Sequence, residues 1–322
     1  MQIKVGILGC ASIARRSLAP AFHAHPRFEF TAIGSRSIDK AKEFAAAYKG
    51  VEACSYGELI DRDDIDLVYC PLPTGLHYEW VRKSLEHGKH VLCEKSLACT
   101  YDEVSELVRI ARRNNRFLME SFQFRFHPQN VYVKKLLEEK AVGEIRNVHV
   151  KFGFPPFPDG DKNIRYSTSL GGGALLDVGA YTIKSATYLL GNDISVGKAC
   201  RSRVAEGNVD LDGVLWLQSS SGVVVNAVYG FHNSYQCGYE IWGETGRILL
   251  TRAFTARPDF PAEVILETAQ GSERQVFKAD HFGLMLDYIA ECVANSEYEN
   301  EYNECLVQSK VLESVNNAME VL

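Results

Sequence analysis

Between Ile3 and Ser121 the chain keeps switching period: short, continuously apolar runs alternate with stretches whose apolar residues return every three or four positions. The apolar runs are Ile3–Leu8, Phe28–Gly34, Leu67–Cys70, His90–Glu94 and Phe117–Ser121. The amphipathic stretches are Ser12–His25, Ile38–Tyr48, His77–His87 and Tyr101–Asn114. A strand that is apolar on both sides has no face to give to water, so it belongs in a sheet covered above and below. The intervening helices are that cover, and right-handed crossovers then make the strands parallel. The pattern predicts an α/β, doubly wound Rossmann domain over residues 1–122.

From residue 123 the texture changes. A helix is expected around Pro128–Glu139, followed by strand-like segments at Ile145–Phe154, Val196–Val204, Leu211–Ser219, Val223–Phe231, Cys237–Trp242 and Glu263–Thr268. Ser219–Gly222 reads as a hairpin turn between two of them. One helix, Asp177–Leu190, interrupts the series, and two amphipathic helices, Phe282–Asn295 and Asn303–Val321, close the chain. At 322 residues the chain exceeds one ordinary core. Residues 123–322 are therefore expected to form an α+β domain for substrate binding and oligomerisation, built on an open, mostly antiparallel sheet. Apolar residues such as Val214, Trp216 and Val224 on its uncovered face predict a homodimer or homotetramer.

The formal charge of -6 offers no general basic field for nucleic acid or an anionic membrane. No apolar run approaches the roughly 18 residues that span a bilayer. The opening MQIKVGILGC reads as a strand rather than a leader, and a cytoplasmic location is expected. Nine cysteines are scattered without a C-x-x-C pair, so reduced and mostly buried thiols are expected, with no metal site.

The first strand runs into Gly9-Cys10-Ala11-Ser12-Ile13-Ala14 and then a helix. This is the G-x-G-x-x-G layout with alanines at its second and third positions. Gly9 permits the tight turn, Ala11 the close approach of a pyrophosphate, and Ala14 helix–strand packing. The free N–H groups of the helix start favour the anion. At the end of the second strand an Asp or Glu would select NAD(H), but the chain reads Ser35-Arg36-Ser37, with Lys40 nearby. Those residues could cradle a 2′-phosphate, so NADP(H) is expected ahead of NAD(H), with a solvated Arg36 as the alternative. In an open α/β sheet ligands lie beyond the carboxyl ends of the strands. Pro71, Leu72, Thr74 and His77 of PLPTGLH, and Glu94 and Lys95 of CEKS, are therefore further candidates for cofactor contacts, Thr74 and His77 at the nicotinamide ribose.

In order along nearly the whole chain stand the glycine turn, PLPTGLH, EK, MESFQFRFHP, VGEIRNV and GGGALLDVGAY. This ordered set resembles the glucose–fructose oxidoreductase / inositol dehydrogenase / rhizopine-catabolism (Gfo/Idh/MocA) family. The resemblance implies that Lys95, Asp177 and Tyr181 are catalytic, matching the lysine of E-K-P and the Asp and His of D-x-G-x-H. Two departures stand out: Ser96 replaces the proline, and Tyr181 replaces the histidine. A tyrosine there is similar to the dihydrodiol dehydrogenases, some pentose dehydrogenases and the nucleotide-sugar 3-ketoreductases. GCASIARR and NIRYSTSLGGGALLDVGAY look most like the last group.

Ketone reduction needs a proton as well as a hydride, and a phenol beside a cation can give it. In that scheme Tyr181 donates, Lys95 stabilises the alkoxide, and Asp177 orients a substrate hydroxyl. Arg125 and His127 are expected to line the domain junction or the substrate pocket, and Arg165 and Lys162 to grip a nucleotide-sugar diphosphate. Structural alternatives stay open: Tyr181 in the core, Asp177 as a helix cap, His77 as a structural histidine, and the two diphosphate candidates as solvated charges. The expected function is an NADP(H)-dependent oxidoreductase moving a hydride to or from a carbonyl or hydroxyl carbon of a sugar, with a nucleotide-linked keto-deoxysugar foremost. Alternatives are a free-pentose or dihydrodiol dehydrogenase, a dinucleotide-sensing regulator and a redox-neutral glycosidase.

Overall fold

The computed structural model describes residues 2–157, 163–205 and 209–321. They form two compact units: Met1–Ser121 with Phe282–Leu306, and Phe122–His281 with Val307–Leu322.

The first unit is built on six parallel strands: β1 (Ile3–Leu8), β2 (Phe28–Gly34), β3 (Glu52–Cys54), β4 (Leu67–Cys70), β5 (His90–Glu94) and β6 (Leu118–Ser121). Their order is β3-β2-β1-β4-β5-β6, so the winding reverses between β1 and β4. Val5, Ile7, Leu67, Val68, Val91 and Leu92 have no exposed surface, as strands covered on both faces require. The cover includes α1 (Ala19–Ala24, entered through a π-turn at Ala14–Leu18), α2 (Ile38–Ala45), α3 (Tyr56–Asp61), α4 (Thr74–Glu86) and α5 (Tyr101–Asn114). Capping boxes start α3 (Ser55 with Glu58) and α5 (Thr100 with Glu103). Two short elements carry little periodic signal: β3 has three residues, none fully buried, and α3 has six.

A division between residues 122 and 123 leaves Phe282–Leu306 with the second domain, whereas packing groups it with the first. Arg112 makes a two-pronged pair with Glu299 at 3.0 and 2.8 Å, and the ring of Tyr298 lies 5.9 Å from those of Phe117 and His90. A return of the chain over 180 residues later is invisible to local periodicity.

The second unit carries a two-stranded ribbon and a nine-stranded sheet. After α6 (Pro128–Glu138) come β7 (Ile145–Gly153), α7 (Ala180–Leu190, entered through a second π-turn at Leu175–Gly179) and β8 (Ile194–Arg201). The ribbon pairs β9 (Val204–Ala205) with β10 (Val209–Asp210). Then follow β11 (Asp212–Ser219), β12 (Val224–Gly230), β13 (Gln236–Gly243), β14 (Gly246–Leu250), β15 (Ala262–Thr268) and β16 (Gly271–Phe277). Helices α8 (His281–Asn295) and α9 (Glu299–Asn317) and strand β17 (Met319–Val321) end the chain.

The large sheet has the order β16-β15-β14-β13-β7-β12-β11-β8-β17; β12 with β7 and β17 with β8 are parallel, and its other pairs are antiparallel. The Ser219–Gly222 turn joins β11 to β12 with Gly222 at φ +86, a left-handed backbone that glycine accepts without strain. Strand β16, GSERQVF, is almost wholly exposed, which is why it has no alternating signature. The inner face packs Val150, Leu215, Leu217, Val225 and Tyr239 into one core with Ile183 of α7 and Val315 of α9. The opposite face shows Val214, Trp216, Val228 and Trp242, each about half exposed, while Val224 is partly covered. Among the described residues no helix is long and apolar enough to cross a membrane.

Candidate active site

At the end of β1, Gly9 takes φ +99, and its N–H donates to the Gly34 carbonyl at 2.8 Å. A Cβ at Gly9 would lie 2.8 Å from Leu72 Cδ2, so the turn is closed to side chains by conformation and by space. Ala11 begins the helix: its carbonyl accepts from Arg15 N at 3.1 Å. Ser12 stands exposed and Ile13 half-buried at that helix start, beside a half-buried Cys10 whose Sγ lies 3.5 Å from the Lys40 carbonyl. Burial pushes the Cys10 thiol up, so it stays protonated.

Beyond β2, Ser35 is buried and its hydroxyl accepts from Ser37 N at 3.2 Å. Ser37 in turn caps α2 by accepting from Lys40 N at 3.5 Å. Arg36 and Lys40 are exposed, and Arg36 lies beside the Tyr56 hydroxyl. The strand end thus offers hydroxyls beside two exposed cations.

The loops after β4 and β5 are held by protein contacts. Pro71 and Leu72 are buried, and Thr74 opens α4 half-buried. His77, with no exposed surface, faces two carbonyls: Nδ1 lies 2.8 Å from Ser96 O and Nε2 2.6 Å from Leu72 O. Burial holds its pKa down at about 4, so the ring is neutral and one nitrogen donates. Of the two readings of His77, these contacts favour the structural one: the ring ties the two loops together. Cys70 and Cys93, paired across β4 and β5, approach the same imidazole, the three ligand atoms lying within 4.8 Å of one another. With its nitrogens against carbonyls, the imidazole packs in this trio without being presented as a metal ligand.

Glu94 accepts from the Tyr69 hydroxyl at 2.8 Å, and burial raises its pKa. Lys95 follows half-buried, joined to Ser96 by a cis peptide bond. Glu120, overlooked in the sequence inside MESF, is buried and accepts from Leu97 N at 3.0 Å, anchoring the far side of this loop.

In the second unit Tyr181 lies on the first turn of α7, 6% exposed. Its ring packs edge-on against Phe122 and Phe152, with centroids at 5.3 and 5.0 Å, and its hydroxyl is 3.3 Å from both side-chain ends of Gln123. Gln123 is a further residue that motif reading passed over. Lys184, one turn on and 2% exposed, holds its Nζ 5.6 Å from the Phe122 ring centroid. Asp177, within the π-turn, accepts from Arg165 Nε at 2.5 Å. Arg165 also lies over the Phe157 ring at 4.6 Å, so it is no loosely solvated charge. Lys162 lies outside the described residues.

Arg125 is half-buried over the Phe126 ring at 5.1 Å. His127 is fully buried and caps α6, its Nδ1 accepting from Gln129 N at 3.2 Å. One edge of His127, expected at the junction or substrate pocket, is thus used as the cap of α6.

Residues 3–122 match the family model described as oxidoreductase family, NAD-binding Rossmann fold, and residues 131–249 match the GFO/IDH/MocA C-terminal domain. The chain belongs to the Gfo/Idh/MocA family. It is an oxidoreductase with the expected Rossmann domain followed by a mixed-sheet domain. Within the family it is 43% identical to a dTDP-3,4-didehydro-2,6-dideoxy-alpha-D-glucose 3-reductase of Saccharopolyspora spinosa, over 82% of this chain and 79% of that one. A protein of the same name from Actinomadura kijaniata is 38% identical over 97% of this chain and 94% of its own. The crystal structure of KijD10, a 3-ketoreductase from Actinomadura kijaniata in complex with NADP and TDP-benzene, superposes with a TM-score of 0.95 at 36% identity, covering 100% of this chain and 99% of that one.

Proposed function

We propose that this chain is an NADP(H)-dependent ketoreductase that reduces a carbonyl carbon of a nucleotide-linked keto-deoxysugar. The observation that carries the reading is the nearly full-length likeness to dTDP-sugar 3-reductases, in a chain that has Lys95, Asp177 and Tyr181 in its motifs. The cofactor fits the residues present: Gly9 at φ +99 makes the tight turn that ends β1, and the end of β2 has hydroxyls and Arg36 where an acid would repel a 2′-phosphate.

When bound, NADPH supplies the hydride. Tyr181 gives its phenolic proton to the carbonyl oxygen, with Gln123 fixing the direction of the hydroxyl. The Lys95 ammonium stabilises negative charge on that oxygen. Asp177, held by Arg165, accepts from a substrate hydroxyl and so orients the sugar. Arg165 and Arg125 take the phosphate-bearing end, as bidentate donors suit. The test is loss of nicotinamide absorbance with NADPH and a dTDP-linked 3-keto-sugar. Tight NADPH binding without turnover on any keto-sugar would point to a sensor and overturn the reading.

On the same reading NADPH binds about tenfold or more tightly than NADH, equivalent to about 1.4 kcal/mol. Arg36→Ala should remove most of that difference while leaving NADH affinity alone. Fluorescence titration of both cofactors decides it, and equal affinities in the wild type would refute the assignment of Arg36.

We also infer a homo-oligomer joined through the outer face of the large sheet, where Trp216 is 55% and Trp242 47% exposed. Sedimentation at micromolar concentration should give a dimer or larger, and Trp216→Lys should shift it toward monomer. A wild-type monomer would reject this interface.

A further inference from the structure

The π-turn that leads into α7 has no side-chain cap of its own. Its opening N–H, that of Leu175, donates instead to Asp210 Oδ2 at 2.7 Å, across 35 residues. The other carboxylate oxygen abuts Gly173, where φ is +118 and an added Cβ would collide with it. Gly173 in turn donates to the Arg165 carbonyl at 2.9 Å, and its own carbonyl accepts from Asp177 N at 3.3 Å. At the last glycine of the run, Gly179, an added Cβ would come within 3.3 Å of the Tyr229 ring. GGGALLDVG is therefore backed closely by strand side chains, with Asp210 holding Gly173 and Leu175, two residues before Asp177.

We propose that ionised Asp210 is a positioning residue for the reaction: it sets the start of the helix that presents Asp177 and Tyr181. The inference rests on the catalytic reading of those two residues. A carboxylate at a helix N-terminus is the stronger acceptor and matches the dipole; a neutral carboxyl or amide keeps the shape but weakens the grip. The charged and titratable groups facing it are Arg201 of β8, Asp212 of β11 and Tyr229 of β12. Burial, the largest effect, raises the Asp210 pKa to about 6, while Leu175 N–H and Arg201 act the other way. The carboxyl thus protonates, and the grip loosens, within the range of an ordinary assay.

The experiment compares wild type, Asp210→Asn and Asp210→Ala across pH 5–8, reading kcat, KM, Tm and NADPH affinity, with Tyr181→Phe alongside. Wild-type kcat should fall by tenfold or more below about pH 6. In Asp210→Asn kcat should be reduced about tenfold at pH 7.5 and flat toward acid, with NADPH affinity unchanged and the fold intact by circular dichroism. Asp210→Ala should lose more kcat than Asp210→Asn. Wild-type kcat per folded molecule in Asp210→Asn, or the same acid limb in that variant, would overturn the proposal even if Tm fell. Full activity in Tyr181→Phe would instead strike at the catalytic reading on which it rests.

Discussion

Lys95→Ala should lower kcat by roughly 10² or more, the scale of removing a group that stabilises a developing oxyanion. Tyr181→Phe should also act mainly on kcat. The phenylalanine ring keeps the edge-on contacts with Phe122 and Phe152, so only the hydroxyl and its Gln123 contact are removed. Gln123 retains a second acceptor, the Phe254 carbonyl at 3.3 Å, and the fold should survive with a loss of about 1 kcal/mol. NADPH affinity should be unchanged in Tyr181→Phe and modestly weaker in Lys95→Ala. Steady-state kinetics with cofactor titration on both variants provides the check. Near-wild-type kcat in Tyr181→Phe would show that the hydroxyl is only a core polar group. Full activity in Lys95→Ala would remove the lysine from the chemistry altogether.

Stability should decline as pH falls from about 6.5 toward 4. His127 and His281 lie ring to ring at 5.7 Å, both under 4% exposed. Burial holds the first at about pKa 4 and, with help from the neighbouring His127, the second at about 3. The unfolded chain takes up protons near pH 6.5 and the folded one does not, so their stabilising effect is complete above that pH and erodes below it. By pH 4 each imidazole has withdrawn about 3 kcal/mol, a large part of the roughly 5–15 kcal/mol that keeps a domain folded. Asp210 works oppositely: its raised pKa means the folded state gains a proton first, and its destabilising charge is relieved between about pH 6 and 4. His127→Asn, which can still cap α6, should flatten the dependence by about one proton. Urea unfolding at pH 7 and 4.5 measures this, and an unchanged pH slope in that variant would exclude His127 as a source.

How far the site was legible depended on whether a residue's partner lies close in sequence. Gly9 shows the favourable case: a strand-to-helix turn at that spacing needs positive φ, and the structure has +99. The exposed place of Arg36 just past β2 was legible as well, because it follows directly from where that strand ends. His77 and His127 show the other case. Each sits beside a proline-bearing turn in a string of polar and aromatic residues, where a ligand contact and a structural contact look alike. Burial decided both, leaving one between two loop carbonyls and the other at the start of α6.

By itself the sequence determined what repeats locally: the parallel sheet from runs apolar on both faces, the dinucleotide turn from its small residues, and the family from motifs in fixed order. Only the tertiary structure decided which buried polar groups meet. Gln123 reaches Tyr181 across 58 residues, Asp210 reaches Leu175 across 35, and residues 282–306 return to the first unit. Such pairs are chosen by sheet register and by the cost of leaving a buried polar group unpaired, and neither is written in the spacing of neighbouring residues.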